Sequence, residues 1–272
     1  MQYEPIKRSL GRFIAGSAAV RKIFYFLLDL LLLRTWHIKK AVRKIAGNLP
    51  AEAFVLDAGS GFGQYAWWMS RVNHGWKINA MDINSEQIEA CNSFFRKAGK
   101  GDKVTFRTAD LVKLNDNMNY DLILSVDVME HIREDEAVFG NFYKSLKNNG
   151  ILLISTPSDK GGSDVRNTTD KSFIDEHVRN GYSITEITQK LNKAGFTGIN
   201  VLYTYGKPGR ISWMLTMKWP VKMLNTSYLF FIILPFYFLI FFPVSIILNI
   251  FDLRLVHKSG SGLLVTARKV ME

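Results

Sequence analysis

The sequence predicts an α/β fold: a mostly parallel sheet with helices on both faces. Three observations predict it. Short apolar runs alternate with stretches of helical period along most of the chain. The first apolar run ends in an acid and a glycine-rich turn, the usual place for a ligand in open α/β sheets. Hydrophobic residues make up 47% and charged residues 22% of 272 residues, which excludes a disordered or collagen-like chain and permits a sizeable core.

Taken in order, Phe54-Val55-Leu56 is the first strand, ending at Asp57 and followed by a helix over 64–72. Lys77 to Met81 is the second strand, followed by a helix from Ser85 to Lys97. Ser85 is a cap by residue type, and Glu86 and Glu89 in the first turns suit the helix dipole. Val104-Thr105-Phe106 and Leu122-Ile123-Leu124 are the third and fourth strands. A helix over 136–147, closed by Asn148-Asn149-Gly150, leads to a fifth strand from Ile151 to Ile154. A helix over 183–194 ends near Gly195, Ile199 to Tyr203 is the sixth strand, and Gly262 to Thr266 is the last. The lone Cys91 forms no internal disulfide and supplies no cysteine-built zinc site.

Two regions depart from this alternation. The net charge is +11, and residues 1–48 carry ten Lys and Arg against Glu4 and Asp29. Such basic charge implies an anionic surface, either nucleic acid or phospholipid. It is interleaved with the apolar run Ile23 to Leu33, a combination that fits an interfacial membrane helix better than a nucleic-acid arm. A soluble helix packed over the domain is the alternative. A signal peptide fits poorly, because Arg34-Thr35-Trp36-His37 stands where small residues would be needed.

The second region lies between Lys222 and Asp252, where no Asp, Glu, Lys, Arg or His occurs. Eighteen of the residues from Leu229 to Phe251 are Leu, Ile, Phe or Val. They favour a bilayer by about 5–11 kcal/mol before polar corrections. Pro235 and Pro243 are expected to interrupt a helix here. Basic residues flank both ends, with Lys207, Arg210, Lys218 and Lys222 before and Arg254 and Lys258 after. A final strand at 262–266 can join the sheet only if the insert returns to the side it left. A re-entrant or interfacial segment satisfies both constraints, and a buried core hairpin is the alternative.

The segment Asp57-x-Gly59-x-Gly61-x-Gly63 differs from the G-x-G-x-x-G of dinucleotide-binding turns, and its acid suits a ligand with a cationic part. It resembles the first motif of the class I S-adenosylmethionine-dependent methyltransferases, and the following motifs arrive in order. Met81-Asp82 ends the second strand, Ala109-Asp110-Leu111 follows the third, Tyr120 to Ser125 resembles the fourth-strand motif and Leu146 to Pro157 the fifth. The resemblance covers about residues 50–205 and the last strand. It implies a Rossmann-like class I methyltransferase fold, seven-stranded and mostly parallel, with an antiparallel last strand inserted between the fifth and sixth and a hydrophobic helical insert before it. The organisation that follows is a basic amphipathic N-terminal region (1–48) that binds a membrane surface or covers the site. A methyltransferase domain (49–205 and 259–272) and a membrane-associating insert (206–258) complete it.

The resemblance also implies S-adenosyl-L-methionine as cofactor, held by Asp57, Gly59, Ser60, Gly61, Gly63, Asp82, Ile83, Asp110, Leu111, Ser125 and Val126. The family acid at Asp82 accepts hydrogen bonds from the ribose hydroxyls, and the one at Asp110 meets the adenine amino group. Methyl transfer needs mainly proximity and orientation, with a base where the acceptor loses a proton. His131, in Asp127-Val128-Met129-Glu130-His131-Ile132, is the candidate base, with Asp127 and Tyr182 as further catalytic candidates. Asp127, Glu130 and His131 also resemble the metal cluster of the ubiquinone-pathway O-methyltransferases, although no metal is assigned. The loop Asp175 to Tyr182, with His177 and Arg179, often faces the acceptor in this family; an ordinary solvated loop is the other reading.

Nucleic-acid acceptors fit poorly. Ser125-Val126-Asp127-Val128 replaces the Asp/Asn-Pro-Pro-aromatic segment of the amino-methylating DNA enzymes, and Cys91 falls in a helix, away from a nucleophile position. The expectation is therefore a methyltransferase at the cytoplasmic face of a membrane, such as a bacterial inner membrane. It would bind anionic lipids and methylate a lipid-like, quinone or phenol-type acceptor or another small molecule. A membrane-attached cofactor-binding scaffold without catalysis and a soluble small-molecule enzyme are the alternatives.

Overall fold

A computed structural model describes residues 17–161, 178–227 and 229–270. Seven strands form one sheet: β1 (Phe54–Ala58), β2 (Lys77–Asp82), β3 (Val104–Thr108), β4 (Tyr120–Val126), β5 (Leu146–Pro157), β6 (Thr197–Thr204) and β7 (Gly262–Arg268), in the order β3-β2-β1-β4-β5-β7-β6. Strands β1 to β5 pair in parallel, and β7 runs antiparallel to both of its neighbours, β5 and β6. The antiparallel last strand thus lies between the fifth and sixth, as the resemblance implies.

Successive side chains on a strand point to opposite faces, so both faces here need apolar cover. Val55, Ile78, Leu122, Leu124 and Leu153 point to one face. There they meet α1 (Ala18–Leu31), α2 (Leu33–Ala46), α3 (Gln64–Val72) and α4 (Ser85–Lys97). Leu56, Met81, Ile123, Leu152 and Ile154 point to the other, against α5 (Asp135–Ser145) and α6 (Ile184–Lys193). Aromatic rings fill the first layer: Trp67, Phe94, Phe95 and Phe106 stack with centroids 4.7–5.7 Å apart.

The local readings need three corrections. The cap of α4 is Asn84, not Ser85: its side chain accepts from the Gln87 amide at 3.1 Å, satisfying an orphan donor one residue earlier than expected. The helix expected over 136–147 ends at Ser145, and 146–150 join β5. That extension is held by two bonds to the end of β7, Asn149 N to Lys269 O at 2.8 Å and Lys269 N to Gly150 O at 3.0 Å. Pro235 and Pro243 do not interrupt the apolar segment: α9 runs from Phe230 to Arg254 through both.

Before α9 the chain leaves β6 as α7 (Lys207–Trp213), passes a π-helical turn over Met214–Lys218, and continues as α8 (Trp219–Thr226). The widened turn sits immediately upstream of Pro220, whose ring and missing N–H disturb the regular ladder. Helix α9, about 37 Å long at 1.5 Å per residue, returns antiparallel to this arm. Contacts are staged along the pair: Tyr237 Oη donates to Leu215 O (2.9 Å), Ser212 Oγ to Ser245 O (3.2 Å), and Gly209 N to Asp252 Oδ2 (3.0 Å). The insert is a helical hairpin that returns to the sheet edge it left.

Asp252 fixes the base of this hairpin. It is fully buried, and its Oδ1 accepts from His37 Nε2 at 2.9 Å. Oδ2 takes the Gly209 amide and lies 3.1 Å from His257 Nε2. A Cβ on Gly209 would sit 2.6 Å from Asp252 Oδ2 and 2.6 Å from Leu33 Cδ2, so only glycine allows the approach. One carboxylate therefore joins α2, α7, α9 and the segment leading to β7. Asp252→Ala is expected to lower unfolding stability by about 3–5 kcal/mol, because it strands several buried polar partners; urea unfolding of wild type and variant measures it.

Candidate active site

The crevice lies beyond the C-terminal ends of β1, β2, β3 and β4. Gly59, Gly61 and Gly63 adopt φ of +82°, +50° and +80°, a region costly for other residues. Their roles differ. A Cβ on Gly59 would meet Val128 Cγ2 at 2.1 Å, and one on Gly63 would meet Phe106 Cζ at 2.9 Å, so both are required by packing. Above Gly61 nothing lies within 4 Å, and its bare backbone faces open space. The Gly59 and Ser60 amides both donate to Met81 O at 2.8 Å, tying the turn to β2.

Asp82 is oriented before any ligand arrives. Its Oδ2 accepts from the Gly61 amide at 2.8 Å and its Oδ1 from the Asn84 amide at 3.0 Å. Each oxygen keeps a lone pair for a further donor. Asp110 caps the turn Leu111–Lys113 through its Oδ1, which accepts from Val112 N at 3.0 Å. Ile83, beside Asp82, is 75% exposed, an apolar surface at the rim. Leu111 packs into the second core layer and Val126 is half-buried. The hydroxyls of Ser60 and Ser125 are buried without a hydrogen-bond partner.

Asp57 sits beneath the turn, 1% exposed, and accepts from Ala66 N at 3.1 Å. Burial, with the charge of Asp82 adding to it, pushes its carboxyl up to about 7.

At the end of β4, Asp127 takes φ +50° and forms an ion pair with Arg34 at the start of α2. Glu130, 1% exposed, accepts from Thr156 Oγ1 at 3.1 Å, and burial raises its carboxyl above the usual range. His131 closes the short turn Met129–His131, half-buried. Among the described residues no three His, Cys, Asp or Glu side chains gather as a metal set, and Asp127 and Glu130 are turned to Arg34 and Thr156.

Tyr182 needs correction as a catalytic candidate. Its ring is fully buried in the second core layer, and its Oη donates to Asp135 Oδ2 at 2.7 Å, with Met129 O at 3.2 Å. Burial first, and then the Asp135 carboxylate, raise this phenol far above its ordinary range. Arg179 is likewise paired with Asp135, which also takes Lys190 Nζ at 2.7 Å. These groups anchor the chain before α6 onto α5. Asp175, Glu176 and His177 lie outside the described residues, as do Lys7, Arg8 and Arg12.

The sequence reading gave the N-terminal region as a possible cover for the site but missed the contacts by which α1 and α2 reach the crevice. Tyr25 Oη donates to Phe62 O at 2.5 Å, and the buried Arg21 donates to Ala90 O at 3.2 Å, so α1 lies over the glycine turn. Arg34 N donates to Tyr205 Oη at 3.0 Å, and Thr35 Oγ1 lies 3.3 Å from Tyr65 Oη. The available signal was a charged residue placed where the leucine run ends. An open depression of about 470 Å³ near Phe54, Tyr120 and Lys147 is at the opposite, N-terminal ends of the strands and belongs to no part of this arrangement.

Residues 33–201 match the family model described as a methyltransferase domain. The chain belongs to the class I S-adenosylmethionine-dependent methyltransferase family. Among curated proteins, it is similar to a ubiquinone biosynthesis O-methyltransferase of Rickettsia canadensis. The two are 28% identical over 102 residues, covering 38% of this chain and 42% of the relative. It is 24% identical over 178 residues to a sterol 24-C-methyltransferase of Kluyveromyces lactis, covering 63% and 48%. The chain thus spans less than half the length of these relatives. Among solved structures, phosphoethanolamine N-methyltransferase 2 of Haemonchus contortus in complex with S-adenosyl-L-methionine superposes with a TM-score of 0.61. Identity there is 17%, covering 87% of this chain and 53% of that one. The likeness shows the fold.

The methyltransferase's own residues fit the family cofactor. Open space above Gly61, exposed Ile83, two oriented acids at the ends of β2 and β3, and the unpartnered Ser60 hydroxyl form a cradle for a nucleoside with an amino-acid tail. Asp82→Ala is expected to weaken cofactor binding by about 1–3 kcal/mol, read by calorimetry, because it removes a charged acceptor and frees the Gly61 amide. Asp57 gives a pH signature. Its folded-state carboxyl, near 7, binds protons more tightly than the ordinary 3.8. Stability of the cofactor-free protein should therefore fall as pH rises from about 4 to about 7 and level off above. In Asp57→Asn this component should vanish from the pH dependence of thermal unfolding.

Proposed function

We propose that this methyltransferase transfers a methyl group to a lipid-like acceptor, of the quinone or phenol type, at a membrane to which its helices bind. The observation that carries the reading is the arrangement of the hairpin. Helix α9 is apolar around its whole circumference, yet only about a sixth of its most apolar window is buried against the protein. Its polar groups, Ser245, Asn249 and Asp252, face inward, while Ile232 and Leu239 stand 70% and 76% exposed. A soluble helix shows the reverse pattern, and lipid-facing helices hide their polar residues in this way. A buried core hairpin would not leave this surface bare.

Helix α1 repeats the theme. Arg21 and Tyr25 grip the turn region, and Ile23, Phe26 and Leu27 point outward on the opposite side. A membrane bound by that face would lie close above the crevice, supplying acceptor without passage through water. The names of the quinone and sterol relatives agree with an apolar acceptor.

The cofactor supplies an electrophilic methyl group on a sulfonium. The chain's residues do the rest: Asp82 and Asp110 bind and orient the nucleoside, and α1 and α2 shield the crevice from water. Asp127, held by Arg34, fixes the backbone of the acceptor side, and His131 receives the proton of a hydroxyl acceptor. On this reading the site faces the compartment that holds the cofactor, the cytoplasmic side of the membrane.

Two outcomes test the proposal. The full chain should float with lipid vesicles in a density gradient, and labelled methyl groups should pass from the cofactor into a lipid extract. Cofactor binding without transfer to any lipid, quinone or phenol would support a scaffold instead, and a chain left in the soluble fraction would support a soluble enzyme. His131→Asn should lower turnover about 10²–10⁴-fold on a hydroxyl acceptor, with cofactor affinity unchanged.

A further inference from the structure

A cleft of about 380 Å³ opens between α1, α2 and the last turn of α9, lined by Asp29, Trp36, Lys39, Lys40, Arg43 and Leu253. It is separate from the cofactor crevice, and the methyl-transfer reading does not use it. We infer that this cleft binds the phosphate of an anionic phospholipid headgroup. The inference rests on the membrane reading and adds a specific site to it.

Charge is the first argument. The cleft holds three cations and one carboxylate, and that carboxylate is already engaged. Asp29 pairs with Lys39 at 2.5 Å and accepts from Gln64 Nε2 at 2.8 Å. Lys40 and Arg43 therefore face the cleft as uncompensated charge. Lys40 Nζ donates one hydrogen bond, to Leu253 O at 2.6 Å, which leaves two donors on the ammonium. The Arg43 guanidinium stands 5.4 Å from the Trp68 ring and has no carboxylate partner among the described residues. Such a fork suits two oxygens of one phosphate. Burial lowers the Lys39 ammonium below its ordinary value, and the nearby Arg43 and Arg71 push the same way against Asp29.

Position is the second argument. Leu253 ends the apolar helix, and beside it Phe251, Leu255 and Val256 are 54%, 53% and 88% exposed. The cleft thus lies where an oily surface gives way to a basic one, the level at which a bilayer carries its phosphates. Trp36 borders it with its indole N–H turned inward, donating to Asp29 O at 2.9 Å. An indole at this boundary is the usual companion of headgroups. Lys40 and Arg43 lie one turn apart on α2, so both reach one anion.

The test compares flotation of the full chain with vesicles of phosphatidylcholine alone and vesicles enriched in phosphatidylglycerol. Lys40→Ala/Arg43→Ala should bind the anionic vesicles about tenfold or more weakly and the neutral ones as wild type does. Lys97→Ala/Lys144→Ala, which removes the same charge from distant exposed positions, should change either by less than about twofold. Arg43→Glu should lose the anionic preference altogether, and calorimetric cofactor titration certifies that each variant is folded. Equal losses in both double variants would mean diffuse attraction and overturn the site while leaving the membrane reading intact. Failure of wild type to float with either vesicle would overturn the membrane reading and the site with it. A third arm titrates glycerol phosphate against Trp fluorescence. Saturation there that depends on Lys40 and Arg43, without any anionic preference in flotation, would assign the cleft to a free phosphate ester and overturn the lipid as its occupant.

Discussion

The Asp252 carboxylate is the constraint on which the larger architecture depends. A buried carboxylate is tolerable only when donors surround it, and here they come from three other parts of the chain: His37 on α2, the Gly209 amide on α7 and His257 before β7. Satisfying one ion joins all of them at the sheet edge, beside the bonds of Lys40 to Leu253 O and of Arg34 N to Tyr205. The same junction fixes the start of α2, where Arg34 meets Asp127 at the crevice. The hairpin base and the end of β4 at the crevice are therefore coupled through a single helix.

Conformational demand at the first turn explains the cofactor side. Three left-handed glycines bring β1 into α3 within a few residues, and the tightness is enforced by Val128 and Phe106 pressing on two of them. The third leaves its backbone open and gives its N–H to Asp82. Asp82 in turn receives the amide of Asn84, which caps α4. The acid read as the ribose acceptor is thus also the joint between a turn and a helix, so its geometry is fixed by the fold and needs no adjustment by a ligand.

Much of this was legible in the sequence, because it is local. The limits of α3 and α4 follow from period and turn residues, and the strands follow from apolar runs between breakers. The return of the insert followed from one argument about where a last strand must pair. What escaped was non-local or depended on a competitor. Asn84 outcompeted Ser85 as a cap because Asp82 was already positioned to hold its backbone. Residues 146–150 became strand because the end of β7 offered them partners more than a hundred residues away. Two prolines failed to break α9 because their effect is the loss of single hydrogen bonds, which a long apolar helix packed on a partner arm absorbs. Tyr182 has the chemistry of a catalytic phenol, and only the fold reveals that Asp135 claims its proton. Arg34 could not be paired with Asp127 from spacing, since 92 positions intervene.

The slot taken by β7 has a mechanical consequence. The hairpin hangs from Thr204 and Gly262, which are register partners on adjacent strands at one end of the sheet. A load applied along the hairpin would reach the sheet along the axes of β6 and β7. β7 has an antiparallel ladder on each side, whereas β6, the outer strand, has one, so the load on β7 is shared between two neighbours. The hairpin is thus rooted on an inner strand as well as on the outer one, next to the strands whose ends carry the crevice.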